Sequence, residues 1–138
     1  MAHTVSDFMT SHPTVVEVTD TLRSVAQTMA TQDLGSLVVA ENGSVVGIVT
    51  DRDLVVRGLA EGIGLDAPVG QLATGRLVTV RPGDDVAEVV QLMRDKAVRR
   101  VPVLDGDQAV GIVSLGDLAV ALDSDSALAD ISAAPPND

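Results

Sequence analysis

The sequence repeats itself at a fixed offset. Shifted by 64 residues, Val46-Gly47-Ile48-Val49-Thr50-Asp51-Arg52-Asp53-Leu54 falls on Val110-Gly111-Ile112-Val113-Ser114-Leu115-Gly116-Asp117-Leu118. The register runs without a gap back to Val5 over Val69, with Asp20 on Asp84, Val25 on Val89 and Met29 on Met93. Self-similarity at a fixed period dictates architecture before any local propensity does. Two copies are too few for a solenoid, which gains stability by stacking many units. They imply two similar halves packed about a pseudo-twofold axis, with a cleft between them.

A repeat unit of roughly 50 residues is marginal alone, so the two halves are expected to share a core within one compact domain. Hydrophobic residues make up 46% of the 138 residues, with one Phe and no Trp or Tyr, so that core must be aliphatic. The same deficit removes any aromatic platform for stacking the bases of single-stranded nucleic acid. A formal net charge of −11 opposes binding to a polyanion through counterion release and to an anionic membrane surface. Neither nucleic acid nor membrane is therefore expected as a partner. A small anionic ligand stays possible, because local arginines and helix ends act at short range. Cysteine is absent, which excludes disulfides, a thiolate nucleophile and Cys-ligated metal. The opening Met-Ala-His-Thr-Val-Ser-Asp lacks the basic and apolar regions of a secretory signal, and no apolar run reaches about 18 residues. A cytoplasmic location is the simplest expectation.

Within each repeat the pattern reads β-α-β-β-α, giving an α/β (α+β) fold. Thr14 to Val18 is β-branched and reads as a strand. Thr19 or Asp20 is placed to cap a helix whose apolar face carries Leu22, Val25, Ala26, Met29 and Ala30. Ser36–Ala40 and Val45–Val49 form a hairpin around Glu41-Asn42-Gly43, an Asn-Gly turn signature. A short helix follows from Asp51 to about Glu61, stopped at Gly62. In the second repeat, Leu77–Val80 is the opening strand, and Asp84 or Asp85 caps a helix with Val86, Val89, Val90 and Met93. Arg100–Leu104 and Ala109–Val113 make the hairpin, and a last helix starts near Leu115. The chain thus divides into repeat 1 with its N-terminal segment (1–62), a connector (63–70), repeat 2 (71–122) and a tail (123–138). Ala127–Ile131 reads as a further helical turn of that tail.

The informative element is the strand–turn–helix at Gly47-Ile48-Val49-Thr50-x-x-Asp53 and Gly111-Ile112-Val113-Ser114-x-x-Asp117. A glycine in a strand lets a ligand or another backbone approach closely. The hydroxyl of Thr50 or Ser114 falls at a helix N-terminus, where free N–H groups and the positive dipole end favour phosphate. Asp53 and Asp117, in the first turn, can accept both ribose hydroxyls. The same spacing is also a capping box that needs no ligand. Recurrence in register makes the pattern more specific, with both uses still open.

These motifs, the repeat topology and the stretch Val98-Arg99-Arg100-Val101-Pro102-Val103 resemble the CBS domain family (named for cystathionine β-synthase) in its tandem, or Bateman, form. The resemblance spans about Val5 to Leu122. The short stand-alone arrangement is similar to small actinobacterial CBS-pair proteins. It implies a regulatory, non-enzymatic module with no required cofactor. The module would bind an adenosyl ligand (AMP, ADP, ATP, S-adenosylmethionine or NAD) in the cleft between halves and signal energy or stress state. On this chain Thr50 and Asp53 would hold ribose and phosphate at one site, Ser114 and Asp117 at the other. Gly47 and Gly111 would allow close approach. The adenine would lie against His12-Pro13-Thr14-Val15 or Arg76-Leu77-Val78-Thr79. Arg100, with Arg99 beside it, stands where the family often has a phosphate-contacting base, whereas repeat 1 has Ser36 after Gly35. Arg52 has Gly116 as its counterpart; it could meet a phosphate, but reads first as a solvated or dimer-interface charge. A homodimer is implied through the helices beginning at Asp20, Asp51, Asp84 and Leu115, with a separate protein effector as a further partner. The rival reading is a pair that binds no ligand and acts as a protein-interaction module. His3 and His12 are the only histidines, and their spacing does not suit zinc.

Overall fold

The computed structural model describes residues 3–73 and 77–129, with side chains to Asp123. The elements are β1 (Thr10–Ser11), β2 (Val15–Glu17), α1 (Leu22–Gln32), β3 (Ser36–Glu41), β4 (Ser44–Thr50) and α2 (Asp51–Asp53), then α3 (Val86–Asp95), β5 (Arg100–Asp105), β6 (Gln108–Ser114) and α4 (Leu115–Ala129). α2 continues as a π-helical segment, Leu54–Leu59, and single 3₁₀ turns occur at Val5–Asp7 and Val69–Gln71. The architecture is mixed α+β, with two three-stranded sheets ordered β2-β3-β4 and β1-β6-β5.

Both hairpins form as their turns require. Asn42 and Gly43 sit at φ 52° and 84°, the two positive values of a type I′ turn, and Gly106 takes φ 64° in the second hairpin. Each hairpin also shifts register at the same repeat position, Val39/Ala40 and Val103/Leu104.

The segments that precede the repeats exchange places. Val5, fully buried, joins the core of the second half with Val89, Met93, Val101, Val103, Val113 and Leu118. Val69, its counterpart 64 residues on, joins the first-half core with Leu22, Val25, Leu37, Val39 and Val49. The backbone exchange is symmetric. The Val5 N–H donates to the Asp84 carbonyl at 2.9 Å, and the Val69 N–H donates to that of Asp20 at 2.7 Å. Ser6 and Gly70 repeat this toward Pro82 and Val18, each at 3.0 Å. Strand β1 completes the exchange by pairing antiparallel with β6. Each buried valine is worth about 1.5–3 kcal/mol, so the halves are held by mutual insertion as well as by packing of β4 on β5 and β6. The N-terminal segment, assigned from sequence to repeat 1, therefore packs on repeat 2.

Three local expectations are corrected. The N-cap of α1 is Thr21, whose hydroxyl accepts from the Ser24 N–H. Asp20 instead accepts from the Glu17 N–H at 3.0 Å, as Asp84 does from Arg81 at 2.9 Å, leaving Asp85 as the cap of α3. The expected strand Leu77–Val80 reduces to one parallel bridge, Val80 to Val103, whereas β2 pairs over three residues with β3. Finally, α4 continues through Asp123 to Ala129, so the boundary expected at 122/123 falls inside a helix. Arg76 and the tail beyond Ala129 lie outside the described residues.

Candidate functional site

The strand glycines are spent on the exchanged segments. A Cβ on Gly47 would lie 2.7 Å from the Ala73 carbonyl oxygen. One on Gly111 would lie 2.5 Å from Met9 Sδ and 3.0 Å from the Thr10 carbonyl oxygen. Of the two uses a strand glycine allows, close approach of another backbone accounts for both positions.

The helix starts that follow differ. At the first, the Asp53 N–H donates to Thr50 Oγ1 at 3.1 Å and the Thr50 N–H donates to Asp53 Oδ2 at 2.9 Å, a complete capping box. Arg57 stands one turn on, 4.0 Å from the other Asp53 oxygen, and donates to the Leu72 carbonyl at 2.6 Å. At the second, the Asp117 N–H donates to Ser114 Oγ at 3.1 Å, with no return bond. The exposed Asp117 carboxylate has no partner among the described residues.

Two clefts lie between the halves. The larger, about 470 Å³, has walls from both. Thr10 to Thr14 and the stretch Asp33-Leu34-Gly35-Ser36 face Arg100, Ile112, Ser114 and Asp117. The smaller, about 140 Å³, is its counterpart under the 64-residue shift and includes Gly47, Ile48, Leu77, Val78, Val98 and Arg100. Small-molecule sites typically measure about 300–1,000 Å³, a range that admits only the first. Part of the asymmetry is built by one pair of positions: Ser36 in the larger cleft corresponds to Arg100 in the smaller.

Of the residues singled out from sequence, His12, Pro13, Thr14, Arg100, Ser114 and Asp117 come together in the larger cleft. Gly47, Leu77, Val78 and again Arg100 line the smaller one. Thr50, Asp53, Gly111 and Val15 line neither. His12 adopts φ 57°, a left-handed conformation uncommon outside glycine and asparagine. Sequence reasoning missed Asp33 and Leu34, which follow α1 where helical periodicity has ended. Among the described residues no group of three or more His, Cys, Asp or Glu side chains could hold a metal ion, and no helix is long and apolar enough to cross a membrane.

Comparison with known proteins agrees with this architecture. The CBS domain family matches residues 5–58 and 69–124, one match per half. The chain is similar to the CBS domain-containing protein YhcV of Bacillus subtilis, 36% identical over 116 residues, covering 84% of this chain and 83% of that one. It is likewise similar to Hypoxic response protein 1 of Mycobacterium tuberculosis, 36% identical over 118 residues, covering 84% and 82%. The crystal structure of Hypoxic Response Protein I, with two coordinated zinc ions, superposes with a TM-score of 0.73 over 86% of this chain and 98% of that one, at 35% identity. The CBS domain pair of protein MJ0100, crystallised with 5′-methylthioadenosine and S-adenosyl-L-methionine, shares the fold with a TM-score of 0.77 at 21% identity, covering 91% and 99%.

Proposed function

The chain belongs to the CBS domain family, and from that premise we propose that it is a regulatory module whose larger cleft binds an adenosyl ligand. The observation that carries this reading is the unpartnered Asp117 carboxylate beside Ser114 in a cleft of nucleotide size. Asp117 can accept two ribose hydroxyls, and the positive dipole end of α4 favours a phosphate beside it. Arg100, whose guanidinium makes no hydrogen bond or ion pair among the described residues, offers a charge from β5. Pro13, Leu34 and Ile112 supply aliphatic walls for a base in a chain without aromatic platforms. The adenosyl class comes from the family resemblance, and the MJ0100 pair, crystallised with such ligands, gives it a precedent in the same architecture.

The role in this reading is regulatory, as the family resemblance implies. Output runs through a homodimer in a stress or energy response, in the cytoplasm. Val55 and Leu59 on the π-helical segment and Val120 on α4 are 55%, 66% and 63% exposed, and burial in a second copy would cover them. Sedimentation of the purified chain as a monomer at micromolar concentration would remove the dimer from this reading.

Dye-based thermal unfolding with millimolar AMP, ADP, ATP, S-adenosylmethionine and NAD tests the ligand. A ligand at about 100 times its Kd adds about 2.7 kcal/mol, a rise of several degrees. The expected result is a rise with at least one compound, abolished in Asp117→Ala and retained in Asp53→Ala. Loss in Asp53→Ala alone would move the ligand to the first motif. No rise with any compound would favour the ligand-free interaction module.

A further inference from the structure

The charges lining the larger cleft are unbalanced. Among the described lining residues, Asp33 and Asp117 face a single guanidinium, that of Arg100. A third carboxylate is close by: Asp51 Oδ2 lies 3.8 Å from where a Cβ on Gly35 would sit, and Gly35 is part of the wall. Among the described residues His12 is the only other basic side chain in the lining.

Asp33 is the residue in this set that the fold does not need. It is the C-cap of α1, at φ 56° and ψ 54°, with its own N–H bonded to the Met29 carbonyl. Glycine and asparagine suit such a left-handed cap best. The matching residue in the second half is Ala97, at φ 55°, so this backbone turn forms without a carboxylate. The Asp33 side chain makes no hydrogen bond or ion pair among the described residues and is exposed. It also stands at the negative end of an eleven-residue helix. The cleft is therefore bipolar. One wall combines the α1 C-terminus with Asp33, and the other combines the α4 N-terminus with Arg100.

We propose that Asp33 is a specificity-determining residue that restricts the larger cleft to adenosyl ligands bearing at most one phosphate, against di- and triphosphates. This rests on the adenosyl reading above. With the ribose on Asp117, one phosphate can be met by Arg100 and the positive dipole end of α4. Each further phosphate brings negative charge that no second Lys or Arg among the described lining residues can answer, in a cavity that holds Asp33. The net charge of −11 works in the same direction over longer range.

Isothermal titration of the wild type, Asp33→Asn and Asp33→Ala with adenosine, AMP, ADP and ATP, free of magnesium and at fixed ionic strength, tests the proposal. Asparagine suits a left-handed cap, Ala97 shows that the turn also admits alanine, and unchanged unfolding temperatures would verify the folding of both variants. The wild type should bind ATP at least about tenfold more weakly than AMP, a plausible size for one added like-charge interaction at close range. Both variants should narrow that gap at least about fivefold while adenosine affinity stays within about twofold. ATP binding as tightly as AMP to the wild type, or a gap unaltered in the variants, would overturn the proposal and leave the adenosyl site standing. Failure of the wild type to bind adenosine, every nucleotide and, in a parallel titration, S-adenosylmethionine would sink the adenosyl reading and this inference together.

Discussion

Gly47 to Asp53 and Gly111 to Asp117 carry one pattern and put it to two uses. In the first, both ends of the Thr50–Asp53 box are closed and Arg57 stands against the remaining carboxylate oxygen. In the second, only the Ser114 hydroxyl is engaged. One residue outside the motif accompanies the difference. Arg57 corresponds to Ala121, a buried alanine that offers no cation to Asp117. The same Ser/Thr-x-x-Asp spacing is thus a closed cap at one helix start and an open acceptor at the other. Neither the motif nor its duplication decides which.

The largest difference between the two motifs is expected at their glycines. At Gly47 the obstacle to a side chain is backbone, the Ala73 carbonyl, which cannot move without moving the exchanged segment. At Gly111 the nearest atoms are Sδ and Cγ of the flexible Met9 side chain, at 2.5 and 2.9 Å, with the Thr10 carbonyl oxygen at 3.0 Å. Gly47→Ala should cost about 2–3 kcal/mol and Gly111→Ala about 1 kcal/mol or less, in line with overpacking of a close contact. Urea unfolding followed by circular dichroism measures both. Equal costs would mean that the exchanged segments yield equally, and the asymmetry would then be confined to the helix starts.

That exchange marks the limit of what the sequence reveals. The 64-residue register aligns Val5 with Val69 and exposes the duplication, because matched positions occupy matched environments. It does not say onto which half each segment packs. Both choices bury the same valine, and only long-range geometry separates them. Leu77–Val80 has the β-rich composition of the first opening strand yet pairs only at Val80, since strand formation depends on a neighbour to pair with. Helix existence was legible at Asp51 from the cap and the apolar spacing, but the π-helical widening over Leu54–Leu59 was not. Of the larger cleft, Ser114, Asp117, Arg100 and His12-Pro13-Thr14 were legible from motif and resemblance. Asp33 was not, because a C-cap carries no periodic signal. Its alignment with Ala97, one charged and one neutral in a near-symmetric chain, is the clue that was available.

The carboxylates sharpen the comparison at intermediate size. Asp53→Ala removes the acceptor of the Thr50 N–H in a side chain 27% exposed, and should cost about 1 kcal/mol, the usual worth of a cap interaction. Asp117→Ala leaves the Ser114 cap in place and removes an exposed, unpartnered charge, so its cost should stay below about 0.5 kcal/mol. Chemical denaturation without ligand reads both. A cost for Asp117→Ala matching that of Asp53→Ala would show a second closed box in solution and would weaken the case for Asp117 as a ligand acceptor.

The smallest effect isolates Arg57. A double-mutant cycle of Arg57→Ala and Asp53→Ala should give a coupling of about 0.3–0.5 kcal/mol, the ordinary value for an ion pair at this exposure. The 4.0 Å separation and side-chain exposures of 39% and 27% set that expectation. Arg57→Ala alone should cost more than the coupling, because it also strips the Leu72 carbonyl of its donor in the exchanged segment. Those two numbers separate the roles of one arginine. A coupling near zero would leave the capping box to hold Asp53 unaided, and the substitution of Ala121 for Arg57 would no longer explain why the second motif is open. A coupling above about 1 kcal/mol would make Arg57 the principal restraint on Asp53. Its removal should then free the first carboxylate and bring the two helix starts closer in behaviour.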